Sequence, residues 1–446
     1  MKRQYYQKLL EWKASGHKKP LMLRGVRQCG KTHLLQHFGE NEFSNVHCFN
    51  FEKEPELARV FESNLDPRHI IDQLSFHQNR SIDIAKDLVI FDKIQAVPRA
   101  LTALTSLKYF QEDLPELALC CAGSLLGVRL SQESYPVGKI QTGYLYPLTF
   151  VEFLRAIGEE LSANLIESCN ANTVVPPIVH DRIWERLKWY FIVGGLPEAV
   201  QVFVDNRDNL FVAFEKVREV QEQLLSGYYV DIAKHSGKVN AMHIDRIWRS
   251  IPNQLASSVD GSSKRYQFNG IIEGIDRYSR LANAFDWLEN AGLIFKVPII
   301  HTAEHPLSAY TEESRFKLFV FDVGMLGALS GLAPRTILEY QYGTYKGYFA
   351  ENFIAQEFFS ANCKELYAWQ EGRSEVEFVR NIDGDILPIE IKSGNVTHAK
   401  SLQKFIEKYS SKYRTIMSGR PFKIDSRNGI HSYPLYLASR FPVLFE

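Results

Sequence analysis

A glycine-rich stretch near the start of the chain constrains the fold more than any other feature. Residues 25–32 read GVRQCGKT and fit the pattern G-x-x-x-x-G-K-[ST]. A short apolar run, residues 21–23, precedes it, and Leu34, Leu35 and Phe38 follow it at helical spacing. A glycine-rich loop between a buried strand and a helix is the setting in which this pattern forms a phosphate-binding P-loop. The alternative is an ordinary glycine turn followed by a chance lysine.

The residue types in this loop suit a nucleoside triphosphate. Gly25 and Gly30 tolerate positive φ and have no Cβ, so the backbone can curl around phosphate oxygens. Lys31 can reach the β- and γ-phosphates, and the Thr32 hydroxyl can ligate Mg²⁺. The sequence therefore predicts ATP and Mg²⁺ as cofactors. The predicted binding residues are Gly25, Val26, Arg27, Gln28, Cys29, Gly30, Lys31, Thr32 and His33.

A second apolar strand supplies the predicted partner of this loop. Residues 87–92 read DLVIFD, four apolar residues closed by an aspartate. P-loop ATPases deliver a Mg²⁺-binding aspartate from the end of such a buried strand. Asp92 is therefore predicted to hold Mg²⁺ together with Thr32. The alternative is a core strand that ends in a solvated aspartate.

The residue after Asp92 bears on catalysis. ATPases of this class usually carry an acidic residue there to polarise the attacking water, whereas this chain has Lys93. A charged lysine cannot act as a base, and its cation competes with Mg²⁺. Two outcomes stay open: hydrolysis is slow and the protein is a nucleotide-binding switch, or another carboxylate substitutes. Glu52, at the end of a predicted strand over residues 46–51, is the candidate.

Three further residues are candidates around the nucleotide. Ser124 ends an apolar strand predicted over residues 117–124 and is expected to lie beside the γ-phosphate and sense it. The alternative is that Ser124 only caps the following helix. Lys139 and Arg155 are candidates for an arginine-finger role. The predicted catalytic residues of this region are Lys31, Glu52, Asp92 and Ser124.

Several short motifs occur together in the order of one known family. GVRQCGKT, LVIFDKIQAVP, AGSLL, PVGK and YPLTFVEFL precede VGGLPE, YVDIAKH and IPNQL, and then AEN, EVEF and PIEIKSG. The chain resembles, over nearly its whole length, the prokaryotic AAA-type ATPases of the AAA+ superfamily that carry a C-terminal domain of unknown function. The resemblance implies an α/β fold built on the parallel sheet of P-loop NTPases. The chain departs from the family at Lys93, since the family usually reads D-E-I-Q over positions 92–95. This departure affects the expectation of hydrolysis, not that of nucleotide binding.

The middle of the chain, residues 156–335, is predicted to be largely helical. Aromatic and apolar residues over 184–204, and a long amphipathic helix over 209–229, look like the helical lid of an AAA module with a connector. Helix, helix, strand and strand then follow over residues 243–321, an order typical of a winged helix. If this module binds DNA, three arginines can face phosphates; the alternative is that they are simply solvated. They are Arg265, Arg277 and Arg280.

The tail, residues 336–446, is predicted to be a small α/β domain. A helix, three strands and a helix follow one another, and Glu390 and Lys392 form an E-x-K pair on the third strand. This arrangement resembles the restriction-endonuclease-like core, in which acids hold Mg²⁺ and the lysine orients the nucleophilic water. The metal ligands would be Glu377, Glu390 and, from the helix, Glu351. Glu377 stands where that superfamily prefers Asp. The alternative is a binding scaffold with structural acids.

Composition limits the remaining choices. Lys and Arg together number 52, as do Asp and Glu, so the net charge gives no argument for a nucleic-acid or membrane partner. The six cysteines show no metal spacing, and a reducing compartment, the cytoplasm, is expected. The first residues are amphipathic, so we expect no signal peptide. No apolar stretch is long enough for a membrane span.

The predicted function follows from these regions. The chain is predicted to be an ATP-binding AAA-type protein and a Mg²⁺-dependent ATPase whose nucleotide state controls a nuclease-like tail, with DNA as a candidate substrate. The alternative is a hydrolysis-poor, nucleotide-dependent interaction protein with an inactive nuclease-like tail. The predicted domains are residues 1–155, 156–335 and 336–446. A second copy of the chain or another protein is left open as a partner.

Overall fold

The computed structural model describes residues 1–446 except 16–18, 63, 98–99, 124–137, 236, 257–263, 341–342, 344, 364, 394–399, 426–428 and 444–446. The helices are α1 Tyr5–Ala14, α2 Lys31–Glu42, α3 Pro67–His77, α4 Ala100–Asp113, α5 Phe150–Ala156, α6 Glu160–Glu167, α7 Pro177–Val193, α8 Pro197–Asn206, α9 Leu210–His235, α10 Lys238–Ala256, α11 Ala282–Asn290, α12 Val323–Leu329, α13 Pro334–Leu338, α14 Tyr345–Ser360 and α15 Lys400–Tyr409. The strands are β1 Leu21–Arg24, β2 Val46–Asn50, β3 Leu88–Asp92, β4 Ala118–Ala122, β5 Gln141–Tyr144, β6 Ile294–Ile300, β7 Thr311–Val320, β8 Leu366–Glu371, β9 Ser374–Ile382, β10 Asp385–Ile391, β11 Arg414–Ser418, β12 Lys423–Asp425 and β13 Ile430–Pro434. Within this described part of the chain, no helix is both long and apolar enough to cross a membrane.

The chain divides into two compact units. The N-terminal unit comprises Lys2–Tyr146 and Asn290–Gly292, and the C-terminal unit comprises Pro147–Glu289 and Leu293–Glu446, with Met1. This division differs from the predicted three domains, because residues predicted as a separate middle region share a sheet with the tail.

A five-stranded parallel sheet organises the N-terminal unit, in the order β2-β3-β4-β1-β5. Its neighbouring strands all pair in parallel, as predicted for this α/β region. Strands β3 and β4 are buried along their whole length, in keeping with their continuous apolar sequences. Because parallel strands end at one edge of the sheet, β1, β2 and β3 bring their last residues to the same side.

An aromatic core anchors the strand that ends in Asp92. The buried Phe91 ring packs edge-on against Phe51, Phe61 and Phe110, with centroids 5.6 to 6.0 Å apart. Burying each such ring contributes about 1.5–3 kcal/mol to stability. The position of Asp92 at the sheet edge is therefore fixed by the packing of its neighbour.

The C-terminal unit combines helices with an eight-stranded mixed sheet. Its strand order is β12-β13-β11-β10-β9-β8-β6-β7. The antiparallel β6–β7 pair, predicted as the end of a winged helix, is part of this larger sheet, since Ile299 and Ile300 pair in parallel with Ala368 and Trp369 of β8. Pairing with β8 satisfies backbone groups that a free edge strand would expose. The predicted winged helix is therefore not observed as a separate module.

Helix α14 lies at the centre of the C-terminal unit. All eleven residues from Tyr348 to Phe358 are buried, including the polar side chains of Glu351, Asn352 and Glu357. A helix that is buried on every side must satisfy its polar groups internally. The Asn352 side chain does so by bonding both the N–H and the carbonyl of Val320 on β7, at 2.8 and 2.9 Å.

Candidate functional site

The glycine loop connects β1 to α2, as the sequence predicts. Gly25 has φ +152°, and a Cβ there would lie 2.2 Å from the carbonyl oxygen of Leu145. Gly30 has φ +89° at the N-terminus of α2. A side chain at Gly25 would clash with the backbone of Leu145. A side chain at Gly30 would be strained, because φ is positive there. Both glycines are therefore required by the geometry of the loop.

Hydrogen bonds stabilise the conformation of the glycine loop, which includes the buried Cys29. The ammonium of Lys31 donates to the carbonyl oxygens of Gly25 and Val26, at 3.0 and 2.8 Å. The guanidinium of Arg3 donates to the carbonyl oxygen of Cys29 at 2.9 Å, and the Cys29 thiol donates to that of Leu145 at 3.4 Å. Cys29 thus serves the packing of the loop, and Lys31 lies against the turn that the pattern assigns to phosphate.

The predicted Mg²⁺ residues meet beside this loop. The Thr32 hydroxyl donates to Asp92 Oδ1 at 2.9 Å, and the Asn50 amide donates to Asp92 Oδ2 at 2.8 Å. Asp92 is buried. Both of its oxygens are thus held by neutral donors from α2 and β2, so its carboxylate has a fixed orientation and no contacting cation among these partners. Oxygen donors of this kind suit Mg²⁺.

Asn50 is a site residue that the sequence analysis did not single out. It lies opposite Asp92 in the parallel register of β2 and β3. Its side-chain oxygen also accepts from the backbone N–H groups of Glu52 and Lys53, at 3.1 and 2.9 Å. The signal available in the sequence was its place at the end of a predicted strand neighbouring that of Asp92. One amide therefore orients both Asp92 and the turn that carries Glu52.

Lys93 and Glu52, the two residues on which predicted hydrolysis depends, form an ion pair. Lys93 Nζ lies 3.7 Å from Glu52 Oε2, with 27% and 54% of the two side chains exposed. Lys93 has φ +57°, and its N–H donates to the Ala122 carbonyl oxygen at 2.8 Å. The pair places the Glu52 carboxylate beside the residue after Asp92. It also leaves the Glu52 carboxylate bound to the Lys93 ammonium group.

The other predicted residues of this region have varied surroundings. His33 is exposed and stacks on His37. Lys139 pairs with Glu112 at 3.0 Å, and Arg155 in the C-terminal unit pairs with Glu167. Ser124 lies outside the described residues. The two arginine-finger candidates are thus both engaged in ion pairs.

Residues 17–154 match a family model described as an AAA domain. These residues form an AAA domain. Residues 185–336 and 346–436 match two further family models, DUF8612 and DUF4143, both described as domains of unknown function. The second match ends at residue 336, and the sheet of the C-terminal unit continues across that position.

Solved structures resemble the chain only distantly. They include the RuvB Holliday junction branch migration motor of Thermotoga maritima, with 16% identity over 67% of this chain and 90% of that chain and a TM-score of 0.32. The ORC1 protein of Aeropyrum pernix, in complex with DNA, has 12% identity, coverages of 74% and 93%, and a TM-score of 0.30. PCH-2 of C. elegans has 14% identity and a TM-score of 0.29; the match covers 48% of this chain and 66%, just under two thirds, of PCH-2. These scores are too low to support an argument about function. No curated protein matches the chain.

A second group of charged residues lies inside the C-terminal unit. Glu377 of β9 and Glu390 of β10 are buried on adjacent antiparallel strands whose register, with Ile389 opposite Phe378, sets them opposite each other. Lys392 Nζ lies 2.6 Å from Glu390 Oε1, and the N–H of Ile391 donates to Glu377 Oε2 at 3.2 Å. The four predicted tail residues, Glu351, Glu377, Glu390 and Lys392, are thus brought together.

The sequence analysis missed the residue that completes this group. Lys317 of β7 is fully buried, and its Nζ lies 2.6 Å from Glu375 Oε1 and 3.6 Å from Glu351 Oε2. We call Glu351, Glu375, Glu377 and Glu390 the carboxylate cluster. The only signal in the sequence was a lysine inside the apolar run FKLFV, residues 316–320.

Burial and mutual charge set the protonation of the cluster. Burial, together with the carboxylates of Glu390 and Glu351, raises the pKa of Glu377 well above its ordinary value. Burial alone would lower the pKa of Lys317, but the carboxylates of Glu375 and Glu351 outweigh it and raise this pKa. Burial and the neighbouring carboxylates therefore favour the neutral form of Glu377, and the surrounding carboxylates favour the charged form of Lys317. Within the described ranges, no three acidic, histidine or cysteine side chains are arranged to hold a metal ion.

The arginines considered for DNA binding lie near α11. Arg277 and Arg280 are exposed and Arg265 is half-buried. Exposure of this kind suits both solvated side chains and phosphate contacts.

Proposed function

We propose that this protein is a nucleotide-dependent switch whose AAA domain binds ATP with Mg²⁺ and hydrolyses it slowly. The observation that carries the proposal is the pair of hydrogen bonds from Thr32 and Asn50 to Asp92, directly beside the glycine loop. The loop N–H groups and Lys31 would hold the phosphates, and Thr32 and Asp92 would hold Mg²⁺. The bound Mg²⁺ would neutralise charge on the phosphates.

Slow turnover follows from the residues beside Asp92. Polarising the attacking water requires a carboxylate that is free to accept a hydrogen bond from it. Glu52 is the candidate on this chain. Its carboxylate is instead paired with the Lys93 ammonium, at 3.7 Å. Because both side chains are partly exposed, the pair is weak, and Glu52 can leave it at a cost of about 1 kcal/mol or less. We therefore propose residual rather than absent hydrolysis.

Nucleotide binding is tested by calorimetric titration of the full-length protein with ATP and Mg²⁺. The Lys31→Ala variant should lose about tenfold or more in affinity, which is 1.4 kcal/mol or above, because the cation that meets the β- and γ-phosphates is removed. Lys86→Ala is the matched control, since Lys86 is exposed, pairs only weakly with Asp83, and precedes the opposite end of β3. Equal affinities for all three proteins would reject the P-loop assignment.

For the tail, we propose an inactive nuclease-like domain that responds to the nucleotide state through a protein or DNA partner. The observation that favours inactivity over metal-dependent cutting is the chemistry of the donor set. Two ammonium groups, of Lys317 and Lys392, lie against the carboxylate cluster, where a nuclease site of the predicted kind has one. The residues present therefore fit a divalent cation poorly. Metal-dependent cleavage of DNA by the intact protein would favour the other candidate, an ATPase-controlled nuclease.

The partner and location are further proposals. The exposed Arg277 and Arg280 make DNA a candidate ligand, and a second copy of the chain is a candidate because an arginine finger can be supplied in trans. We propose a cytoplasmic location, in accord with six cysteines that are all free thiols. Sedimentation of the full-length protein with and without ATP and duplex DNA tests both partners, and a profile unchanged by either would exclude them.

A further inference from the structure

The side chain of Lys317, on β7 in the C-terminal unit, is fully buried. An isolated ammonium group in a protein interior costs several kcal/mol, so a buried lysine needs ionic partners. Its partners are Glu375 at 2.6 Å and Glu351 at 3.6 Å, from two other elements, β9 and α14. Three elements distant in sequence therefore meet at one ammonium.

The path of the sheet brings Lys317 to this place. Strand β7 is three positions away from β9 in the strand order, yet the Phe319 and Phe378 rings of these strands are 5.6 Å apart. Side chains of β7 and β9 therefore meet across the two intervening strands, β8 and β6. Lys317 lies two residues before Phe319 and so points to the same side of its strand, towards Glu375 and Glu377.

Lys317 supplies one of the two positive charges that lie against the carboxylate cluster. The carboxylate cluster carries up to four negative charges, and two ammonium groups, of Lys317 and Lys392, lie against it. Lys392 pairs with Glu390, and the single charge of Lys317 is shared between Glu351 and Glu375. Without Lys317, two carboxylates that are buried or nearly so would have lost their cation. Buried carboxylates in that situation bind a metal ion or a proton.

We propose that Lys317 is the built-in cation of the carboxylate cluster and holds the place that a divalent metal ion would take among the same carboxylates. The intact protein then gains no stability from Mg²⁺ or Mn²⁺ at this cluster, and removing the Lys317 charge opens the cluster to a divalent cation. This inference gives a physical reason for the inactive tail of the proposed function. Its failure would leave the nucleotide-binding proposal untouched.

The experiment uses the full-length protein without nucleotide and Mn²⁺ as the probe. Calorimetric titration should show that Lys317→Met, which keeps an apolar stem of similar length, binds one more Mn²⁺ per chain than the wild type. The Mn²⁺ affinity of this additional site should be at least about tenfold higher than that of any Mn²⁺ binding by the carboxylate cluster of the wild type. Mn²⁺ should also raise the melting temperature of Lys317→Met more than that of the wild type. Any Mn²⁺ bound in the AAA domain is common to both proteins and cancels in the comparison.

Two further variants complete the design. Lys317→Met combined with Glu375→Gln removes the ion pair as a unit, so it should fold without metal and bind no additional Mn²⁺. Lys317→Met combined with Glu351→Gln, which removes the carboxylate on α14, should likewise lose the additional site. If Lys317→Met alone refolds only when Mn²⁺ is present, the metal is replacing the ammonium and the proposal is supported.

Two results would overturn the proposal. Glu390 Oε2 makes no hydrogen bond within the described part of the chain, so the wild-type cluster itself must be titrated. Mn²⁺ binding by the wild type that is lost in Glu390→Gln would mean that Lys317 does not hold the cation position. A Lys317→Met protein that binds no more Mn²⁺ than the wild type, and is not stabilised by it, would mean the same.

Discussion

Asp92 and the carboxylate cluster are held by different kinds of partner. In the AAA domain, Asp92 is held by the hydroxyl of Thr32 and the amide of Asn50, which are neutral. In the C-terminal unit, the carboxylate cluster is held by the ammonium groups of Lys317 and Lys392. Neutral donors orient a carboxylate without cancelling its charge, whereas an ammonium group at 2.6 Å cancels it.

This difference indicates which group can respond to a ligand. A carboxylate that keeps its charge attracts a cation, and near a protein surface the attraction between unit charges at 4 Å is about 4 kcal/mol. A carboxylate that already has a buried ammonium partner gains little from another cation, and exchanging partners requires breaking a desolvated pair. The arrangement around Asp92 therefore suits a removable ligand, and that around Lys317 suits permanent structure.

The largest expected effect comes from breaking the buried pair. Lys317→Met should lower the free energy of unfolding by about 3–5 kcal/mol in metal-free buffer, because it leaves Glu351 and Glu375 without their cation. Lys93→Met, which breaks the exposed pair with Glu52, should change it by about 1 kcal/mol or less. Urea unfolding of both variants measures the two values. Similar losses would show that the two pairs are energetically alike and remove the contrast.

A smaller effect is expected from pH, and it should arise in the C-terminal unit. Burial raises the pKa of Glu357 to about 8, with a further contribution from the Glu152 carboxylate, although the N–H of Phe150 bonds Oε1. The folded state thus holds a proton that the unfolded state releases near pH 4.5. This stability is complete below that pH and is lost as pH rises towards 8, by up to about 1.4 kcal/mol per pH unit.

Glu357→Gln should remove that part of the pH dependence, because glutamine cannot ionise. The variant should gain stability relative to the wild type as pH rises from 5 to 8, measured by urea unfolding at each pH. Glu407→Gln, an exposed residue of the same unit, is the control and should leave the slope unchanged. A Glu357→Gln slope equal to that of the wild type would contradict the role of burial.

The smallest expected effect concerns turnover in the AAA domain. Lys93→Glu should raise the rate of phosphate release by roughly tenfold or less, about 1.4 kcal/mol at most, because it frees Glu52 and adds a carboxylate beside Asp92. Glu52→Gln in the wild-type background should abolish the residual rate if Glu52 acts on water. Combining the two changes separates the carboxylates, since a gain that survives belongs to position 93. A fast wild-type rate insensitive to both changes would reject this account of hydrolysis.

Local signals in the sequence were enough to predict the AAA domain in outline. The predicted strand over residues 21–23 is observed as β1, and the aspartate-terminated strand as β3, each within one residue. Both strands are short and apolar. The glycine loop follows β1 directly and Asp92 is the last residue of β3, so each strand and its functional residues can be recognised within one short segment of sequence. The proximity of Thr32 and Asp92 then follows from parallel strands ending at one edge.

The contacts that the sequence did not reveal are long-range. Pairing of β6 with β8 joins residues near 300 to residues near 368, and a strand pattern does not specify its partner. The contact between Lys317 and Glu375 joins two strands that are far apart in the sequence, so the lysine in the apolar run does not by itself indicate its partner. The orienting role of Asn50 likewise depends on the strand register, which places it opposite Asp92.

The pairing of β6 with β8 has a consequence for dividing the protein into fragments. A fragment that begins at residue 336, where the family-model boundaries invite a cut, would lack β6 and β7. The edge of β8 would then be uncovered, and an unprotected strand edge pairs readily with other chains. Glu351 and Glu375 would also be left in that fragment without Lys317. Recombinant expression of the tail should therefore start before Ile294, and shorter pieces are expected to aggregate.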